Sequence, residues 1–153
     1  MLALHSTRLA KIVSLKTDDP KRGVGAVIMM DNESIVAIGW NGFPSKALYG
    51  DFPRASESDG VPDHDKYPYV IHAEQNALLS RNKDDIKSES TTLFVTKTPC
   101  NECVRFLYEA GIKKVVFPKE DTVSNKSKLN YDLLKKDSYD LELIEAYDPT
   151  DDK

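Results

Sequence analysis

The sequence predicts an α/β protein, a three-layer sandwich in which a mixed central β-sheet is flanked by helices. Short apolar runs of β character recur at 24–30, 34–40, 91–96 and 114–117. Stretches with helical spacing alternate with them. The first two runs are close enough to form an antiparallel hairpin. The last two are separated by a helical stretch, so they should form a parallel pair joined by a right-handed crossover.

In chain order, Leu2, Leu4, Leu9, Ile12, Val13 and Leu15 follow a helical repeat that Asp18, Asp19 and Pro20 break. Val24 to Met30 is a strand, Asp31-Asn32-Glu33 a turn, and Ser34 to Trp40 the antiparallel partner. Residues 41–70 are rich in Gly, Pro, Asp and Ser without a steady period, which predicts a long loop, of the kind that is usually functional or mobile. Good helix formers fill 72–81, and a charged connection follows to Ser90. Thr91 to Thr96 is a strand. Thr98 is the expected cap of the next helix, with Pro99 at its first position and its end near Gly111. Lys114 to Phe117 is a strand, 127–137 a helix and 141–145 a last strand. The expected organisation is one domain over 1–147 with a disordered tail over 148–153.

Composition narrows the function. A chain of 153 residues can bury a substantial core. Its 40% hydrophobic and 30% charged residues are those of a soluble globular protein, with no apolar run of membrane-spanning length. The opening residues Met-Leu-Ala-Leu-His-Ser-Thr-Arg do not read as a secretory signal. Two Cys, three positions apart, suit a reducing, cytoplasmic setting rather than a disulfide scaffold. Net charge is -4 with no basic block, which favours a small substrate over a polynucleotide.

Two short motifs carry the chemistry: His72-Ala73-Glu74 and Pro99-Cys100-Asn101-Glu102-Cys103. A His-x-Glu followed by Pro-Cys-x-x-Cys is the metal signature of zinc-dependent nucleobase deaminases. Cys100 and Cys103 fall on one helix face in the first turn, where free N–H groups favour thiolates. With His72 they leave a fourth tetrahedral position open, as a catalytic Zn²⁺ requires. Glu74 lies about 200° around an ideal helix from His72. Both reach one site only if that site caps the helix end. Glu74 is then the proton shuttle, taking a proton from the attacking water and returning protons to the ring N3 and the departing ammonia.

Two blander readings compete. A lone Cys-x-x-Cys can be a redox pair, but no thioredoxin-like context surrounds it. A closed structural zinc site needs a fourth ligand, and His5 and His64 are the only other His.

Further stretches make the chain similar to the deoxycytidylate (dCMP) deaminase family over roughly residues 5 to 118. Val24-Gly25-Ala26 resembles that family's first strand. Ile38-Gly39-Trp40-Asn41-Gly42-Phe43-Pro44 resembles its G-[YW]-N-G-x-P stretch. Lys66 to Ala77, with Lys66-Tyr67-Pro68-Tyr69, resembles the approach to its catalytic helix, and Pro99 to Cys103 with Ala110-Gly111-Ile112 its second metal helix.

The resemblance implies a cytidine deaminase-like fold, zinc on His72, Cys100 and Cys103, and Glu74 as the shuttle. It also implies a deoxyribose hydrogen bond from Asn41, for which a plain Asn-Gly turn is the alternative. Tyr69 or Tyr67 would stack on the pyrimidine or simply pack. Lys21, Arg22, Lys46 and Arg54 lie in or beside the loops expected to face the site, and Arg54 ranks first for the phosphate. The implied partners are a deoxycytidine nucleotide, dCTP and dTTP as allosteric effectors, and further copies of the chain in a dimer to hexamer. The chain departs from many members in lacking Cys for a second, structural zinc, and Ser45 to Asp65 follows no family pattern.

The expected reaction is dCMP plus water to dUMP plus ammonia, supplying dUMP for dTMP synthesis. Deamination of dCTP or of a free nucleoside is the near alternative. A tRNA or polynucleotide deaminase is disfavoured by the acidic charge, and a non-catalytic nucleotide sensor by the intact Glu74.

Overall fold

The computed structural model describes residues 2–19, 22–44, 69–81, 91–112, 114–118 and 142–146. Eight elements occur among them: α1 (Leu2–Ser14), β1 (Gly25–Met30), β2 (Ile35–Trp40), α2 (Ala73–Ser80), β3 (Thr91–Val95), α3 (Asn101–Glu109), β4 (Lys114–Pro118) and β5 (Glu142–Ala146). The expected helix at 127–137, the tail at 148–153 and most of the 41–70 segment lie outside the described residues.

The five strands form one sheet in the order β2-β1-β3-β4-β5. β1 pairs antiparallel with both β2 and β3, whereas β3–β4 and β4–β5 are parallel. The sheet is therefore mixed, as expected, and α3 is the connection between the parallel strands β3 and β4. The β1–β2 turn closes through Met30 and Ser34, with Glu33 at φ 69°.

Alternate residues of the central strands face opposite layers. Val27, Met29, Phe94 and Val116 pack with Ala10 and Val13 of α1. Ala26, Ile28, Leu93, Val95, Val115 and Phe117 pack with Ala73, Ala77 and Leu78 of α2 and Leu107 of α3. Burial on both faces explains why Gly25 to Met30 reads as an unbroken apolar run rather than an alternating one. Each aliphatic side chain so buried contributes about 1.5–3 kcal/mol, which clamps α1 on one face and α2 with α3 on the other.

Two glycines shape the second layer. Gly39 lets α2 lie against β2, because an added Cβ would collide with the backbone of Ala73 and Ala77. Gly111 ends α3 at φ 94°, and the following Ile112 N–H returns to the Leu107 carbonyl at 3.0 Å. That is the left-handed helix stop its position predicts. No helix among the described residues is long and apolar enough to cross a membrane.

Candidate metal centre and active site

The starts of α2 and α3 meet. His72 is the N-cap of α2, with extended backbone. Its N–H donates to Gln75 Oε1 at 3.1 Å, which satisfies the backbone, while the imidazole turns toward Cys100 and Cys103. Asn76 Nδ2 donates to the Trp40 carbonyl at 2.7 Å and ties α2 to the end of β2.

Cys100 is the N-cap of α3, and its Sγ accepts from the Cys103 N–H at 3.5 Å. This corrects the expected cap at Thr98 with Pro99 at the first helical position. The helix begins later, where the Cys100 sulfur accepts the N–H of Cys103 and so caps the first turn itself. Thr98 Oγ1 is buried without a hydrogen-bond partner.

His72 Nδ1 lies 3.5 Å from Cys100 Sγ and 3.3 Å from Cys103 Sγ. Among the described residues these three alone form a cluster able to hold a metal, their ligand atoms all within 4.8 Å of one another. Tetrahedral zinc with ordinary Zn–N and Zn–S bonds separates a nitrogen and a sulfur ligand by about 3.5 Å. The donor set fits Zn²⁺ in type, number and spacing. Bound there, zinc would supply an acidified water and polarise the group under attack.

Glu74 stands beside the cluster, its Oε2 3.8 Å from Cys103 Sγ. It is only 4% exposed. Burial, the largest cause, raises its pKa above the ordinary carboxylate value. A carboxyl in that position takes up and gives back a proton near neutral pH more readily than a solvated one. The Cys100 thiol is lowered to about 4, first by the hydrogen bond from Cys103 and also by His72. Cys103 is pushed up by donating that bond and by burial. His72 is raised, with its hydrogen bond to Cys100 the leading cause.

A cleft of about 330 Å³ opens over the cluster, lined in part by His72, Glu74 and Cys100. That volume suits a single small ligand. Asn41 lines it too, but its amide is engaged in the protein: Oδ1 accepts from Val24 N–H at 2.8 Å, and Nδ2 donates to the Arg22 carbonyl at 2.9 Å. Tyr69 is half-buried and its neighbour Val70, not Tyr69 itself, lines the cleft. Arg54, Lys21, Lys46 and Tyr67 lie outside the described residues. Arg22 lines the cleft, as does Lys97, which sequence reasoning passed over. The available signal for Lys97 was its place in the turn between β3 and the Pro-Cys-x-x-Cys motif.

A mixed sheet covered on both faces, with two helix starts meeting in a His/Cys/Cys cluster beside a buried glutamate, defines the class of zinc-site base deaminases. Residues 4–119 match the family described as the cytidine and deoxycytidylate deaminase zinc-binding region, and the chain belongs to that family. It is 34% identical over 137 residues to the zebrafish (Danio rerio) "Cytidine and dCMP deaminase domain-containing protein 1", covering 83% of this chain and 29% of that one. It is 38% identical over 109 residues to the human (Homo sapiens) deoxycytidylate deaminase, covering 71% of this chain and 60% of that one. The chain thus spans less than two thirds of either relative. Among solved structures, the dCMP deaminase of cyanophage S-TIM5, in complex with dCMP and dUMP, superposes with a TM-score of 0.69 at 29% identity. That match covers 92% of this chain and 93% of the phage enzyme.

Proposed function

We propose that the chain hydrolyses the cytosine amine of a deoxycytidine nucleotide, converting dCMP and water to dUMP and ammonia and so supplying dUMP for dTMP synthesis. The observation that carries this is the buried Glu74 carboxylate at 3.8 Å from Cys103, in the same cleft as the His72 imidazole. Glu74 accepts the proton of the attacking water as its oxygen bonds to C4. It passes that proton to ring N3, then takes the second proton from the hydroxyl now on C4 and gives it to the leaving amine, so the C4–N bond breaks, the C4 carbonyl forms and ammonia departs. His72, Cys100 and Cys103 would hold the zinc.

The relatives named deoxycytidylate deaminase and the phage structure holding dCMP and dUMP support a deoxycytidine nucleotide as the substrate. The same reading carries a single deaminase domain over 1–147 and a cytoplasmic setting. It also carries regulation by dCTP and dTTP and assembly into a dimer or hexamer.

The test is ammonia release from dCMP, dCTP, deoxycytidine and cytidine in parallel, each with and without added dCTP. Turnover of dCMP that quickens with dCTP is the expected result. Turnover of dCTP itself would shift the substrate to the triphosphate. A zinc-loaded protein that turns over none of the four would overturn the reading.

A further inference from the structure

We propose that Arg22 and Lys97, which line one cleft from neighbouring segments, bind the 5′-phosphate of the nucleotide, and that Asn41 positions the Arg22 segment for this. The proposal rests on the deaminase reading above and adds how the substrate's phosphate is recognised.

The two cations are brought together by the sheet. Arg22 lies three residues before β1, and Lys97 two residues after β3, its antiparallel neighbour. The junction is fixed by two hydrogen bonds: Thr96 N–H to the Gly25 carbonyl at 3.0 Å and Gly25 N–H to Thr96 Oγ1 at 3.1 Å. Both residues line the cleft that also holds His72 and Glu74. Lys97 precedes the metal-site Cys100 by three residues, a reach of at most roughly 10 Å. That is the scale of a nucleoside from its base to its 5′-phosphate.

Charge in the cleft favours an anion. With Glu74 assigned to proton transfer, the described lining residues leave Arg22 and Lys97 against one carboxylate, Asp19. Asp19 faces its own loop: Oδ1 accepts from the Arg22 N–H at 3.4 Å and Oδ2 from Asn41 Nδ2 at 3.5 Å. The buried Thr98 hydroxyl, without a hydrogen-bond partner, adds an unused donor on the same wall. A phosphate rewards this combination of a guanidinium, an ammonium and a hydroxyl.

Asn41 acts through the loop. It is 8% exposed and joins three backbone or side-chain groups of residues 19–24, while its own carbonyl accepts from Thr17 Oγ1 at 2.8 Å. Its amide is thus committed to holding Arg22 in place, and it is a positioning residue.

The experiment compares kcat/KM for dCMP with kcat/KM for deoxycytidine in the zinc-loaded wild type, Lys97→Ala, Lys97→Arg, Arg22→Ala and Asn41→Ala. Calorimetric titration of each with dUMP and with deoxyuridine gives a second readout. Lys97→Ala and Arg22→Ala should each lower the dCMP-to-deoxycytidine ratio about tenfold or more, mainly through KM, the loss expected for one charged hydrogen-bonding group. Lys97→Arg should keep most of the ratio, and dUMP binding should weaken in step. Asn41→Ala should lower the ratio as Arg22→Ala does and add little in the double variant, since both act through one cation. An unchanged ratio and unchanged dUMP binding in Lys97→Ala, with an active wild type, would refute the phosphate site while leaving the deaminase reading intact. An inactive wild type would remove the deaminase reading instead. The titrations then decide: dUMP bound more tightly than deoxyuridine, and lost in Lys97→Ala, keeps the phosphate site, and no preference for dUMP removes it.

Discussion

Glu74 Oε2 lies 3.8 Å from Cys103 Sγ, so a buried carboxyl and a sulfur of the cluster able to hold a metal share one contact although 29 residues separate them. The contact makes a sharp demand. Glu74→Gln keeps the size of the side chain and the fold but cannot take a proton. It should retain zinc and lose about a hundredfold or more of kcat on dCMP, the usual scale of a general acid–base group. Metal analysis beside ammonia release checks this, and near-normal turnover with zinc bound would end the assignment. Because burial raises the Glu74 pKa, the acid limb of kcat should fall at a pH above the ordinary carboxylate range.

Removing the metal should cost stability as well as activity. The three ligands come from the starts of α2 and α3, so an ion that binds only the folded chain holds those helices together. Zinc at a thousandfold above its dissociation constant adds about 4 kcal/mol. A chelator should then lower the melting temperature by roughly 10 °C in a domain of this size, and Cys103→Ser should melt at the lower temperature with or without added zinc. A melting temperature indifferent to chelator would mean that the cluster holds no metal.

The two cysteines should be chemically unequal once the metal is removed. Cys100 is half-buried, and hydrogen bonds from Cys103 and His72 lower it to about 4. Cys103 is buried and raised. The thiolate is the reactive form, and a thiol lowered to about 4 stays ionised until the pH falls through that value. Iodoacetamide should therefore label Cys100 first, at a rate nearly flat from pH 8 down to about 5. Peptide mapping of the metal-free protein gives the order, and equal labelling of both sulfurs would contradict it.

Much of this was legible in the residues because it is local. The apolar runs located β1 to β4, and His72, Glu74, Cys100 and Cys103 identify themselves by type and spacing. The 200° separation of His72 and Glu74 already required a site at the helix end, and His72 is indeed the N-cap of α2. What failed depends on three-dimensional competition. Thr98 and Pro99 look like a helix start, yet the Cys100 sulfur takes the capping bond. Asn41 is a different case: it lines the cleft, and its amide also bonds Val24 and Arg22, 17 and 19 residues back, contacts that no local spacing signals. Lys97 has only its place beside the Pro-Cys-x-x-Cys motif as a local signal, and the pairing of β1 with β3 is what brings its segment near that of Arg22.

Gly39 links that packing to catalysis. It sits on β2 where α2 crosses, and an added Cβ would stand 2.8 Å from the Ala77 Cα and collide with the Ala73 carbonyl as well. These are backbone atoms, so the helix itself must move. Gly39→Ala should cost about 1–3 kcal/mol through overpacking, a fall of roughly 3–10 °C in melting temperature. The displaced helix carries Glu74 and is capped by His72, so kcat should fall with it, since a small misplacement of catalytic groups is costly. Ile35→Thr on the same strand provides the contrast: Ile35 is 53% exposed, and its replacement should change stability by no more than about 0.5 kcal/mol. Thermal melts and ammonia release on both variants settle the matter. If Gly39→Ala melts and turns over like the wild type, α2 is free to shift without disturbing the site, and the close approach of strand and helix does not set the position of Glu74.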